Sequence, residues 1–234
     1  MIDWHSHILP GMDDGSRNVA ESISLVNMQA SQGASTVIAT PHFYANDETV
    51  ESFLDRRGRA AEQLKAELPD SAPEILLGAE VKYYDGISRM ADLKALRIEN
   101  SKLLLLEMPM ARWSEYAIRE LVEMASKSST RIVLAHIERY MSFQKRDAWQ
   151  RLAESGILMQ VNASFFTSLL TKRKALTLLC EGGIQFIGSD CHNLTTRAPH
   201  LDKALEVIGK KLGEDFLCEM DGYGRSLLGT VNNG

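Results

Sequence analysis

The stretch Asp3-Trp4-His5-Ser6-His7-Ile8-Leu9-Pro10-Gly11-Met12-Asp13-Asp14-Gly15 holds two histidines at i and i+2, followed by a paired aspartate. On a strand, residues two apart face the same way, so His5 and His7 aim two imidazoles at one point. Pro10-Gly11 stops regular structure and Asp13-Asp14-Gly15 turns the chain back. Imidazole and carboxylate together suit Zn, Mn or Fe. Further residues of the same kinds are His42, Glu80, Glu107, His136, Asp190 and His192. Taken singly, each is compatible with an ordinary structural role.

The elements that carry them change that reading. Apolar or β-branched runs predict strands over 1–5, 35–40, 74–79, 102–106, 130–135, 157–161 and 184–187. Helices are expected over 19–32, 47–67, 115–127, 146–154, 169–181 and 199–212, with a short helix over 87–93 and a short element over 223–228. The pattern is βα repeated about seven times. Fully apolar strands without alternation fit a parallel sheet buried on both faces, and β alternating with α means a doubly wound sheet or a barrel. Six of the seven strands run into a metal-competent residue, and five of the six histidines fall at such ends, His200 being the exception. In a βα barrel all these ends share one face. Acids and histidines buried together there need a cation to balance them.

The ligand set exceeds one site. Four of these histidines or more, with Glu80, Glu107, Asp190 and either Asp13 or Asp14, suffice for two or three metals sharing carboxylates. Clustered divalent ions acidify water and clamp phosphate oxygens, which points to phosphate-ester hydrolysis. Arg139 and Arg197 follow His136 and His192 closely, on the same rim, and are suited to bidentate phosphate binding. Cys191 and Arg197 also reproduce the C-x5-R spacing of cysteine phosphatases, but glycines for an amide cradle are missing and Asp190 opposes a thiolate.

Composition narrows the setting. The 234 residues suit one α/β domain spanning 1–234, 44% hydrophobic and 24% charged. The net charge of −5 lacks the basic footprint of a nucleic-acid binder. Three cysteines without C-x-x-C spacing argue for a reducing, cytoplasmic setting. No signal peptide is apparent and no apolar run is long enough to span a membrane, so neither nucleic acid nor membrane insertion is expected.

His5-Ser-His-Ile-Leu-Pro-Gly-Met-Asp-Asp-Gly15, Thr40-Pro-His42, Gly78-Ala-Glu80, His136-Ile-Glu-Arg-Tyr140 and Ser189-Asp-Cys-His-Asn-Leu-Thr-Thr-Arg197 resemble the polymerase-and-histidinol-phosphatase (PHP) superfamily. More narrowly, they resemble its bacterial protein-tyrosine phosphatase branch of the CpsB/YwqE type. The resemblance implies a distorted (β/α)7 TIM-like barrel with a trinuclear site, usually manganese, with Fe or Zn as other occupants. By carry-over, His5, His7, Glu80 and Asp190 hold one metal, Glu80, Glu107 and His136 a second, and Asp14, His42 and His192 a third, with Asp13 open in place of Asp14. Arg139 and Arg197 bind phosphate, and a metal-activated hydroxide attacks it. The implied substrate is the phosphotyrosine tail of a bacterial tyrosine kinase controlling capsule or exopolysaccharide synthesis. Ile137 and Cys191 depart from the family's usual proline and alanine, and neither change removes a ligand.

Two rivals are distinguishable. A small-molecule phosphatase of the histidinol-phosphate type needs acids placed to grip an amine. A non-catalytic metal-binding regulator has no need of an open phosphate site with two arginines.

Overall fold

Residues 1–229 are described by a computed structural model of the chain. Nine strands are all paired in parallel: β1 (Ile2–Ser6), β2 (Thr36–Ala39), β3 (His42–Phe43), β4 (Glu74–Leu77), β5 (Glu80–Lys82), β6 (Leu103–Glu107), β7 (Arg131–Leu134), β8 (Leu158–Asn162) and β9 (Phe186–Gly188). They form one sheet in the order β1-β2-β4 and another in the order β3-β5-β6-β7-β8-β9. β2 and β3 are two halves of one stave, broken at Thr40-Pro41, where proline has no N–H to donate. β4 and β5 are likewise one stave broken at Gly78-Ala79. Counted as staves, the strands number seven, as the βα pattern predicts. The ring closes where the end of β9 meets the end of β1, through Asp190 N–H to His5 O (2.8 Å), His7 N–H to Cys191 O (3.0 Å) and a parallel bridge between Ser6 and Cys191. This is the distorted (β/α)7 barrel.

The breaks divide the packing. Ile2, Trp4, Ile38, Leu103, Leu105, Val133, Leu158 and Phe186 fill the inside of the barrel. Leu104, Leu106, Ile132 and Leu134 alternate with them and pack outward against the helices, as a period of two requires. β1 slips register against β2 between Asp3 and Ser6. A bulge of this kind re-aims side chains, and here Trp4 joins the inner core while His5 and His7 both reach the rim.

The helices are α1 (Val19–Ser31), α2 (Val50–Glu67), α3 (Glu115–Lys127), α4 (Arg146–Glu154), α5 (Ser164–Thr167), α6 (Lys172–Cys180), α7 (Leu201–Leu212) and α8 (Glu214–Leu227). Asn18, Thr49 and Ser114 cap the first three through their side chains. Thr49 therefore starts α2 later than the expected position 47. Four expectations are corrected. The helix over 87–93 is two 3₁₀ turns, Ile87–Arg89 and Leu93–Leu96. The helix over 169–181 is split into α5 and α6, with Leu169 and Leu170 outside both. The strand ending at Glu80 is two strands in different sheets. The short element over 223–228 is the end of a 14-residue helix, α8. Gly222 and Gly224 disguise α8 in the sequence, yet Gly224 serves close packing: a Cβ there would lie 2.6 Å from the Trp4 ring. α8 closes the lower end of the barrel, with Leu227 in the inner core.

Candidate metal centre

Each metal-competent residue lies where a strand ends. β1 delivers His5 and His7, β3 His42, β5 Glu80, β6 Glu107, the turn after β7 His136, and the turn after β9 Asp190 and His192. The two turn residues have left-handed backbones, His136 at φ 32° and Asp190 at φ 51°. Such conformations are costly for residues with a Cβ and persist where the surroundings impose them. The His136 N–H donates to Gln160 Oε1 (2.7 Å) and the Asp190 N–H to His5 O. Gly188, just before that turn, lets β9 press on β1: a Cβ there would sit 2.5 Å from His5 Cβ.

Three groups of ligand atoms converge, each with all its atoms within 4.8 Å of one another: His7, Asp14, His42 and His192; His5, His7 and Asp190; His42, Glu80 and Glu107. Glu80 stands at the centre, 1% exposed, with Oε2 3.2 Å from His5, 3.3 Å from His7 and 2.9 Å from His42. Its Oε1 accepts from His136 Nε2 at 2.7 Å, and the same nitrogen is 3.9 Å from Glu107. All nine expected ligand residues are thus in one constellation, and His200 lies outside it, at the head of α7.

Asp13 and Asp14 part ways. Asp14 is exposed and lies 3.4 Å from His42 Nε2 and 3.3 Å from His192 Nε2. Asp13 turns inward and accepts from His7 Nδ1 (2.7 Å), His42 N–H (2.9 Å) and Gly15 N–H (2.9 Å). It fixes the His7 ring with Nε2 toward the cluster, the kind of carboxylate support that metal-binding histidines commonly have.

The charges interlock. Burial opposes a charge on His7, but Asp13 and Glu80 outweigh it and lift its pKa to about 10. Burial, then the charge on His7, pushes the neighbouring His192 down to about 4. Burial works against charge on Glu80 and Asp190 too, yet the adjacent imidazoles hold both well below the usual carboxylate range. The cluster is a set of ionised acids balanced by imidazoles, and it fits divalent cations on a direct observation. Among the described residues, His42 Nδ1, Glu80 Oε2 and His192 Nε2 are buried and make no well-aligned hydrogen bond, although His42 Nδ1 and Glu80 Oε2 stand 2.9 Å apart. Unpaired buried polar atoms are costly, and a cation drawn from mixed nitrogen and oxygen donors satisfies all three.

Arg139 pairs with Asp190, and Arg197 reaches both Asp190 (3.0 Å) and Asp14 (3.4 Å). Both guanidinium groups stand partly exposed over the cluster. Cys191 is fully buried, and burial followed by the charge of Asp3 pushes its thiol up, so the C-x5-R spacing does not make a nucleophile. A cavity of about 550 Å³ opens beside the cluster, lined by Met12, Asp14, His42, Tyr44, Asp47 and Arg56 among others. The Tyr44 ring stacks on His42 at 5.5 Å between centroids.

Sequence reasoning missed the support provided by β8, the strand that carries no ligand. Gln160 Oε1 faces His5 Nδ1 at 3.3 Å besides holding the His136 N–H, and Gln160 Nε2 donates to Asn162 Oδ1 at 3.2 Å. Asn162 in turn donates to Asp190 Oδ2 at 2.8 Å. The signal was present: Gln and Asn two apart, on one face of an otherwise apolar strand. Tyr140, whose hydroxyl lies 2.9 Å from His136 Nδ1 and accepts from Met108 N–H, was visible only as part of a motif.

The model of a family described as "Capsular polysaccharide synthesis, CpsB/CapC" matches residues 1–221. The chain belongs to the CpsB/CapC family. A tyrosine-protein phosphatase of Bacillus subtilis, YwqE, is 32% identical over 223 residues, covering 92% of this chain and 87% of that one. The tyrosine-protein phosphatase CpsB of Streptococcus agalactiae is 29% identical, covering 92% of each. A solved structure described with YwqE of B. subtilis and CpsB of Streptococcus pneumoniae as "unique metal-dependent tyrosine phosphatases" superposes with a TM-score of 0.82 at 28% identity, covering 97% of this chain and 94% of that one. The CpsB/CapC fold thus extends over nearly the whole described chain.

Proposed function

We propose that this CpsB/CapC chain is a metal-dependent phosphatase of phosphotyrosine in proteins, working as one catalytic unit over residues 1–234. The observation that carries the reading is the convergence of nine ligand-type side chains from six staves under two partly exposed arginines. His5, His7, Glu80 and Asp190 are assigned to one ion, Glu80, Glu107 and His136 to a second, and Asp14, His42 and His192 to a third. The geometry adds His7 as a neighbour of the third group and His42 as a neighbour of the second. Manganese is the expected metal, from the resemblance. When bound, such ions acidify water and balance the charge of a phosphate ester.

The chain's own residues do the rest. Asp13 and Gln160 hold the His7 and His5 rings in place. Arg139 and Arg197, released from Asp190 and Asp14, are placed to grip phosphate oxygens with paired N–H groups. The cavity beside His42 and Tyr44 is large enough for a phosphorylated side chain, and Tyr44 offers a ring face to an aromatic substrate. The proposed partner is the phosphotyrosine tail of a capsule-synthesis kinase, met in the cytoplasm.

That cavity also holds acids, as the histidinol-phosphate reading requires, but Asp13 is bound to His7, Glu48 to Arg56 at 2.9 Å and Asp14 to Arg197 at 3.4 Å, which leaves Asp47 alone for an amine. Hydrolysis of a phosphotyrosine peptide tests the proposal. Activity lost to EDTA and restored by Mn²⁺ supports it; activity in protein shown to be metal-free by elemental analysis contradicts it. A preference for phosphorylated amino alcohols over the peptide would favour the small-molecule enzyme.

A further inference from the structure

Among the described residues eight large apolar side chains are exposed, and six of them, Tyr44, Met110, Phe143, Leu169, Leu170 and Leu194, lie on loops that follow strand ends at the metal-centre end of the barrel. Leu169 and Leu170 stand apart from the rest. Each is 95% exposed, against 61% for Met110, the next highest. They form the tip of the α5–α6 connection.

Cations gather immediately behind that tip. Lys172, Arg173 and Lys174 open α6, whose first turn has no acid and no side-chain cap. A helix N-terminus favours negative charge, so three cations there are locally unfavourable. Lys174 also lines a groove of about 770 Å³ between α4 and α6, together with Arg131 and Arg146. Lys211 of α7 lines a second groove, on the other side of α6. Arg131, Arg146, Arg173, Lys174 and Lys211 make no ion pair among the described residues, whereas Lys172 feels Glu206. Glu181 is the one acid among the described residues lining the two grooves. Arg131 opens β7 and Lys211 closes α7, so both lie toward the far end of the barrel; beside the tip itself the charge is that of Lys172, Arg173 and Lys174, on a chain of net charge −5.

We propose that the α5–α6 tip and its collar of cations dock the protein on an anionic bilayer surface. The leucines enter the boundary between headgroups and acyl chains, and the cations lie against the headgroups. The charge favours an anionic bilayer: two exposed leucines are followed, after Thr171, by three cations, with no acid between Ala163 and Lys174, which joins apolar insertion to a basic collar. The expectation of no membrane insertion concerned a spanning run, and no helix of the described residues is long and apolar enough to cross a membrane; surface docking needs none. Docked in this way, the metal-centre end faces the bilayer. This orientation rests on the fold and is independent of the phosphatase reading.

The test is co-sedimentation of the full chain with vesicles of phosphatidylcholine alone and of phosphatidylcholine with phosphatidylglycerol at about three to one. Three proteins are compared: the native chain, L169S/L170S, and K172Q/R173Q/K174Q. The native chain is expected to sediment with the anionic vesicles only, less so at high salt. Each variant should bind about tenfold more weakly, with a melting temperature no lower than that of the native chain and unchanged hydrolysis of a soluble phosphate ester. Equal binding to both vesicle types, no binding to either, or native-like binding by L169S/L170S would overturn the proposal. Capture by an acidic phosphopeptide without vesicle binding, lost in both variants, would overturn it in favour of a protein partner.

Discussion

Two buried glutamates, Glu80 and Glu120, are 1% and 5% exposed, and their surroundings differ in kind. Glu120, on α3, accepts from Tyr83 OH (2.9 Å), Gly86 N–H (3.0 Å), Ser88 N–H (3.2 Å) and Ser88 Oγ (2.6 Å). Its lone pairs are filled by neutral donors that cannot leave, and it ties the loop after β5 to a helix. Glu80 is ringed by four imidazoles and keeps an oxygen with no hydrogen bond. Both carboxylates are held below their ordinary pKa, so ionisation does not tell them apart. The partners do: fixed neutral donors mark a structural carboxylate, whereas exchangeable imidazoles with an unfilled lone pair mark a place for a cation.

The largest effect is expected from Glu80→Gln. Phosphatase activity should fall about a thousandfold, with most bound metal lost, while the fold persists in circular dichroism. If Glu80→Gln instead loses stability and keeps metal, the contrast with Glu120 collapses. Next, Arg197→Ala should lower activity about a hundredfold while metal content, read by elemental analysis, is unchanged. Gln160→Leu should weaken metal binding about tenfold in a titration, since it frees both the His5 ring and the His136 backbone. The smallest catalytic effect belongs to Glu120→Gln: activity within about twofold, with stability reduced by about 1–3 kcal/mol in urea unfolding. The sign of its pH dependence follows from the lowered folded pKa. Glu120 contributes fully above the ordinary value of 4.5 and loses that contribution as pH falls through its depressed folded value. The gap in melting temperature between the native chain and Glu120→Gln should therefore close as pH is taken down below about 4.5.

The same contrast explains what was legible in the sequence. The residues proposed to bind cations end strands, and strand ends follow from apolar runs, so the residue pattern alone puts His5, His7, His42, Glu80, Glu107, His136, Asp190 and His192 on one rim. Glu120 could not be distinguished from a solvated helix acid, because its partners sit in the 83–88 loop, which has no periodicity to read. Asp13 and Asp14 are neighbours in the chain, and only the turn decides which faces His7. Gln160 stood out as a polar residue on an apolar strand, but what it supports was not readable, because its partners are a ring nitrogen and a backbone amide, both distant in sequence. The seven staves were readable, but the breaks at Thr40-Pro41 and Gly78-Ala79 were not, since a kinked stave and a straight one share the same apolar pattern. Leu169 and Leu170 read as helix-forming apolar residues, and nothing local signals that they project outward.

The central claim is that Glu80 lies amid bound divalent cations. The most direct measurement is anomalous diffraction at the manganese edge from crystals grown with Mn²⁺. Peaks are expected in contact with Glu80, with further density among His5, His7 and Asp190 and among Asp14, His42 and His192. Active crystals with no anomalous peak within ligand distance of Glu80 would contradict it.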